Sequence, residues 1–346
     1  MKRTIAALFI ISSIELFCIS TFAQIRVMLQ HNGTATPFSG ISALVDANNA
    51  AANGDTIYLP GGYFTSISVS KRLVIVGTGH YPDSLKATGL TYLTSALGIG
   101  KGADSSLIEG LYVYGDINFT DGVKINDVTI RRCYFNSLRI VGGPLLCERI
   151  LINQNVINGN VNLQNTTGVL LKNNIMSGFF YNIENGLIDH NAIITGIGGY
   201  TVMVQSVNNS LYQNNVFKNS FGDGSGFQNG SNNTFDKNAF NFDPRGGVNN
   251  FTPNNLYSID NDSLFVKGNS YSFDYANNYH LKSTFTAGKN YSTEGNDIGI
   301  YGGLPVYTYK EYAMPFNPHI VSKTISQVTN SQGKINVNIK VTSQPK

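Results

Sequence analysis

Arg131, Arg132, Lys172, Asp189 and His190 are the residues of this chain whose types could do chemistry together. A lysine or histidine can take a proton from a carbon acid, and an arginine neutralises a carboxylate. Those are the parts of a β-elimination on a uronate sugar. Lys172, Asp189 and His190 are the candidate catalytic set, and Arg131 and Arg132 the candidate contacts to an acidic chain. The competing reading is a solvated face of mixed charge. The chain has 19 Tyr and no Trp, so tyrosine must supply any surface that stacks on sugars. Tyr112, Tyr114 and Tyr134 would form a stripe, with Tyr112 and Tyr134 as substrate contacts; the alternative is ordinary strand aromatics. A hydrolase needs carboxylates at set separations. Asp116, Asp121 and Asp127 instead fall around turns, where Asp bonds local backbone. They leave Ca2+ as the one cofactor open, and no His/Cys set has zinc spacing.

What positions these residues is a phrase repeated seven times between Leu107 and Phe240. Its fifth place holds Leu111, Cys133, Asn155, Asn174, Asn191, Asn215 and Asn238, a period of about 21 residues. Three places before and two places after it the residue is apolar in every copy, as in Ile152 and Ile157; two before it is polar, as in Asn153. Alternation near period two predicts short strands with one buried face. A period of about 21 is too short for a β-α-β unit, which needs roughly 30 residues, and suits one coil of a parallel β-helix. The repeated Asn then reads as a buried ladder, each amide bonding the next coil. With coils roughly 4.8 Å apart, the charged residues fall along one face.

The remaining chain frames this core. Lys2 and Arg3, an apolar run from Ile5 to about Ile19 and Thr21-Phe22-Ala23 predict a signal peptide over 1–23, and export to the medium or cell surface. No other stretch could span a membrane. Gln24 to Pro37 is a short lead, and the Ala-rich Phe38 to Asn53 reads as a helix capping the open end of the solenoid. Phe221 to Phe227 is a flexible Gly-rich turn, Asn241 to Asp274 is irregular, and 305–318 is a linker. Two alternating runs in 319–346 predict a β-hairpin that either caps the far end or serves as an attachment tail. A Cys133–Cys147 disulfide is permitted in an oxidising compartment, and the spacing leaves it open. Charged residues are only 13% and the net charge is +3, which gives no electrostatic footprint for nucleic acid.

The Ala-rich helix, Gly54-Asp55-Thr56-Ile57-Tyr58-Leu59-Pro60-Gly61-Gly62-Tyr63 and Leu73 to Gly77 together resemble the opening coils of pectin-lyase-like right-handed parallel β-helix proteins. Tyr279-His280-Leu281 and Asn296 to Gly303 resemble the closing motif of secreted β-helix proteins of Bacteroidetes-type bacteria. The likeness covers roughly 38–303 and implies the fold and an extracellular polysaccharide partner more than an activity. Ile188-Asp189-His190 partly resembles a Trp-Ile-Asp-His motif of pectate lyases, with Leu187 in the Trp position. The expectation is an all-β, right-handed parallel β-helix over 24–304. Its function is either binding or processing of polysaccharide along the outer face, with uronate lyase as the enzymatic alternative, or a structural, adhesive surface role.

Overall fold

The structure is a computed structural model that describes residues 26–120, 122–140, 147–164, 166–195, 204–219, 227–228, 230–242, 248–268, 271–303, 315 and 318–342. Residues 1–23, expected to be a signal peptide, Asp121, most of the expected Gly-rich turn and most of the expected linker lie outside the described residues. The chain is a parallel β-solenoid of about 7 turns. Three sheets of 11, 9 and 8 strands form its walls; they are called A, B and C here.

Sheet A carries the repeated phrase. Leu107–Glu109, Thr129–Arg131, Leu151–Asn153, Leu170–Lys172, Leu187–Asp189, Leu211–Gln213 and Thr234–Asp236 pair in register, coil on coil. The middle residue of each strand points inward and is fully or nearly fully buried, from Ile108 to Phe235. Burying each such side chain contributes about 1.5–3 kcal/mol. Two residues then bend the chain into sheet B. The first is left-handed in every coil from Gly110 through Arg132, Gln154, Asn173, His190, Asn214 and Lys237 to Asn254. The second is the ladder residue.

The ladder explains the cost of that bend. A left-handed non-glycine residue costs roughly 1–2 kcal/mol. Against it, the Asn155 side-chain oxygen accepts the Cys133 backbone N–H at 3.0 Å, and the pattern repeats at Asn174, Asn191, Asn215 and Asn238. Each amide also donates to a sheet A carbonyl of the preceding coil, as Asn174 does to Ile152 at 2.8 Å. The ladder runs one coil further than the repeat shows, to Asn255, because residues 248–256 bridge to the last strands as an additional partial coil. A second short ladder, Ser210–Asn233–Asn250, lies before sheet A.

The helical cap and the C-terminal hairpin are present as expected, while the lead and the placement of the hairpin differ. The lead is an antiparallel pair, β1 (Arg26–His31) and β2 (Thr34–Ser39), with β1 hydrogen-bonded to the first solenoid strand. The helix α1 is confined to Ala43–Ala50 and buries Ala43, Leu44 and Ala47 over the open end. At the other terminus, His319–Ile325 and Val337–Thr342 form the hairpin. It does not cap the far end. Pro315 abuts Gly110, and Pro318 and Ile320 line a depression with Tyr58, Leu59 and Val76 of the first coils. Cys133 and Cys147 are buried free thiols with no disulfide between them, and burial pushes the Cys133 thiol up to about 12. Among the described residues no helix is long and apolar enough to cross a membrane.

Candidate functional site

The charged residues do not form a single row. Arg131, Lys172 and Asp189 end sheet A strands and face outward along one line, with Asn153 between them. Arg132 and His190 occupy the left-handed corner one position later, and both are fully buried. Charges on this line are paired. Arg131 Nη2 lies 2.8 Å from Glu109 Oε2, and Lys172 Nζ lies 3.1 Å from Asp189 Oδ2. Arg132 Nε donates to Gln154 Oε1 at 2.9 Å, with Glu109 Oε1 at 3.9 Å.

Lys172, Asp189 and His190 do come together, but under a cover. Asp189 Oδ1 accepts from His190 Nδ1 at 2.7 Å and from Asn214 Nδ2 at 2.9 Å. Burial pushes the Asp189 carboxyl up, yet His190, Asn214 and Lys172 together outweigh it and hold it below the usual carboxylate range. The closing motif lies over this corner. Asn173 Nδ2 donates to the carbonyls of Ile300 and Gly302, Asn214 exchanges two hydrogen bonds with Thr293, and Lys237 Nζ donates to Ser292 O. A Cβ on Gly302 would stand 2.5 Å from His190 Cδ2, so glycine is what allows the segment to press on the ring.

This geometry is that of a clasp. A base needs a lone pair that substrate can reach. Asp189 has its oxygens committed, and His190 is sealed from solvent. Lys172 is an ammonium held against Asp189, with a quarter of its side chain exposed. Asp189, His190 and Glu294 are the one group among the described residues with the spacing of metal ligands. It is a poor donor set, because Asp189 Oδ1 already accepts two hydrogen bonds and Lys172 supplies a positive charge beside Oδ2. The turn carboxylates also have other partners: Asp116 accepts from Asn136 and Ser137, and Asp127 pairs with Arg149.

The tyrosines are placed as a stripe on the outer face of sheet B. Its outward row reads Tyr63, Tyr92, Tyr112, Tyr134, Val156, Ile175, Ala192, Val216, Ala239 in register. From Val156 onward the row is buried, packed against Leu264, Phe265, Tyr279, Leu281 and Ile298 of the returning chain. Before that point, Tyr134 is partly buried against the edge of the returning chain, and Tyr63, Tyr92 and Tyr112 lie beyond it. Tyr92 and Tyr112 stack at 4.8 Å with planes 16° apart, and Tyr112 and Tyr134 at 4.4 Å and 16°. Parallel rings this close overlap by their faces, so the interior tyrosines present edges and hydroxyls to solvent. Tyr63 is tilted 53° from Tyr92 and is 74% exposed, and Tyr114 is 67% exposed, so these two keep ring faces free.

The stripe is walled at one end. Phe273 and Tyr275 approach Tyr134 at 6.1 and 6.2 Å, and buried His80 lies 3.1 Å from the Tyr275 hydroxyl. Burial and the neighbouring phenols raise Tyr92, and push Tyr134 up to about 12, so these hydroxyls stay neutral at physiological pH. Tyr63 and Tyr92 escaped the sequence reading because residues 77–90 interrupt the repeat between them. The signal that was available is the change from Tyr to Val in the outward row. Compared with known protein families and with curated proteins, the chain matches no family model and no curated protein.

Proposed function

We propose that this is an exported, non-catalytic binder of extracellular polysaccharide, holding the polymer along the tyrosine floor of sheet B. One observation carries the reading. The chain's own C-terminal segment covers the outer face of sheet B from Val156 onward and ends against Tyr134, leaving the line of phenols from Tyr112 to Tyr63 beyond it. The floor is rigid, because each ring is held by its neighbours, and its spacing repeats with the coil. Hydroxyl edges accept and donate to sugar hydroxyls, while Tyr63 and Tyr114 offer faces for stacking. The uronate-lyase alternative, with Lys172, Asp189 and His190 as its catalytic groups, requires the 291–303 segment to leave His190 first.

The test is retention of the mature protein on insoluble neutral polysaccharides, with the uronates pectate and alginate as comparison. Wild type is retained on at least one neutral polymer. Tyr112→Ala and Tyr63→Ala weaken retention about tenfold, as removal of central aromatic contacts does at other interfaces. Release of unsaturated products from a uronate polymer, lost in His190→Ala, would overturn the non-catalytic reading. So would retention indifferent to both tyrosines.

A further inference from the structure

A concave place lies where the chain bends from sheet C toward sheet A, on a different side from the tyrosine floor. It has a volume of about 360 Å³ and is built by three successive coils. Its lining is unusual in chemistry. Asn182, Asn185 and Asn208 supply amides and Thr167 and Ser206 supply hydroxyls; among the described lining residues Glu184 is the one carboxylate and none is cationic. Asn182 and Ser206 are left-handed at successive turns, so the backbone repeats the corner coil by coil.

The lining is also fixed in place. Asn182 Nδ2 donates to Asn162 Oδ1 at 3.0 Å, and Asn185 Nδ2 donates to Thr167 Oγ1 at 3.2 Å. Glu184 accepts from Asn208 Nδ2 at 3.3 Å through one oxygen and from Asn209 through the other. Asn208 Oδ1 in turn accepts from the backbone and hydroxyl of Ser231, both at 3.0 Å. These bonds hold the side chains while leaving each carboxylate oxygen and each Asn amide with capacity to spare. Such pre-ordering lowers the entropy lost on binding.

We propose that this depression is a separate binding site for a neutral, polyhydroxylated ligand, namely a short run of neutral saccharide units. Sugar hydroxyls both donate and accept, which matches amides and hydroxyls, and the Glu184 oxygens can accept from neighbouring hydroxyls on one ring. Charge selects against the alternatives. A uronate or phosphate would meet Glu184 with no cation to offset it. A calcium ion would find a single carboxylate, short of the oxygen-rich cage it needs. The site stands independently of the tyrosine floor.

Calorimetric titration of the intact protein with soluble neutral oligosaccharides, oligogalacturonate and Ca2+ tests it. The neutral series binds and the uronate series does not. Glu184→Gln keeps the shape but replaces one of the two acceptor oxygens, and so one of the two Asn contacts, with a donor, and weakens binding about tenfold. In a Tyr112→Ala background, which disables the floor, binding persists, and Thr167→Phe added to it fills the depression and abolishes what remains. The proposal is overturned if both site variants bind like wild type, if Ca2+ alone titrates, or if Tyr112→Ala removes the binding. Polymer retention by the tyrosines, with no neutral oligosaccharide bound, sinks this site and spares the floor.

Discussion

At the scale of single residues, the ladder and the corner beside it obey opposite rules. Asn191 accepts the Asn174 backbone N–H and donates to the Leu171 carbonyl, and its own N–H is taken by Asn215, all in a dry interior. Asn191→Ala removes the first two bonds and leaves their partners buried. At about 1–3 kcal/mol for each orphaned group, the loss is about 3 kcal/mol or more, read from the urea midpoint. Asn255, at the part-buried end of the ladder, costs less when changed to Ala because water can reach its partners. The ladder was legible in the sequence because a solenoid repeats its buried polar residue at a fixed place. His190 was not, since what covers it arrives from Gly302, more than a hundred residues away. His80 makes a second prediction. Burial lowers it to about 3 from an ordinary 6.5, so the folded state requires the neutral ring. Its contribution is therefore fully present above pH 6.5 and is lost as pH falls from there toward 3. On the order of 1–2 kcal/mol should go between pH 6.5 and pH 5. Urea unfolding of wild type and His80→Gln at pH 7 and pH 5 checks the sign: the variant should lose less on acidification.

At the scale of elements, the outward row of sheet B divides the molecule. A strand position facing water can be Tyr, and one facing a second layer must be small or aliphatic, so Tyr134 and Val156 mark the edge of the cover. That change could be read from the sequence. Which segment does the covering could not, because residues 256–303 carry little periodicity of their own; among their described residues a helical turn, a 3-10 turn and one antiparallel pair mark them. The lead misled for a similar reason: β1 has a buried face, but β2 is nearly all exposed and looks like loop. The terminal hairpin is the opposite case. Its alternation was plain, and its second strand is exposed at every position, including Val337, Ile339 and Val341. It buries little, so it stabilises the solenoid little. Deleting residues 321–346 should leave the urea midpoint of the remainder unchanged within about 0.5 kcal/mol. If the hairpin is an attachment tail, the same deletion releases the protein from cells; a fall in stability would instead show the hairpin packing on the solenoid in solution.

At the scale of the whole molecule, a solenoid is close to a one-dimensional stack, each coil touching only its neighbours. Such a stack can fray from an end, one coil at a time. This chain adds a strap. Residues 292–302 touch the corners of four successive coils, by hydrogen bonds at Asn173, Asn214 and Lys237 and by the close packing of Gly302 on His190, and Pro315 reaches back to Gly110. Contacts of such long sequence separation make distant coils depend on one another, so the far coils should open with the middle of the stack instead of before it. The part-buried Lys172–Asp189 ion pair and the buried Asp189–His190 hydrogen bond beneath the strap are weak evidence of stability in themselves. The strap is registered instead by its own hydrogen bonds, because a shift of one residue would break the Thr293 bonds to Asn214 and the Asn173 bonds to Ile300 and Gly302. Gly302→Ala tests this. Its Cβ would fall 1.8 Å from Asp297 O and 2.5 Å from His190 Cδ2, so the strap must lift. The expected outcome is faster hydrogen exchange in residues 211–240 than in residues 56–113, and unfolding in two steps where wild type shows one. A variant that loses stability uniformly, with a single transition and even exchange, would mean that the strap only adds burial and that the stack is cooperative without it.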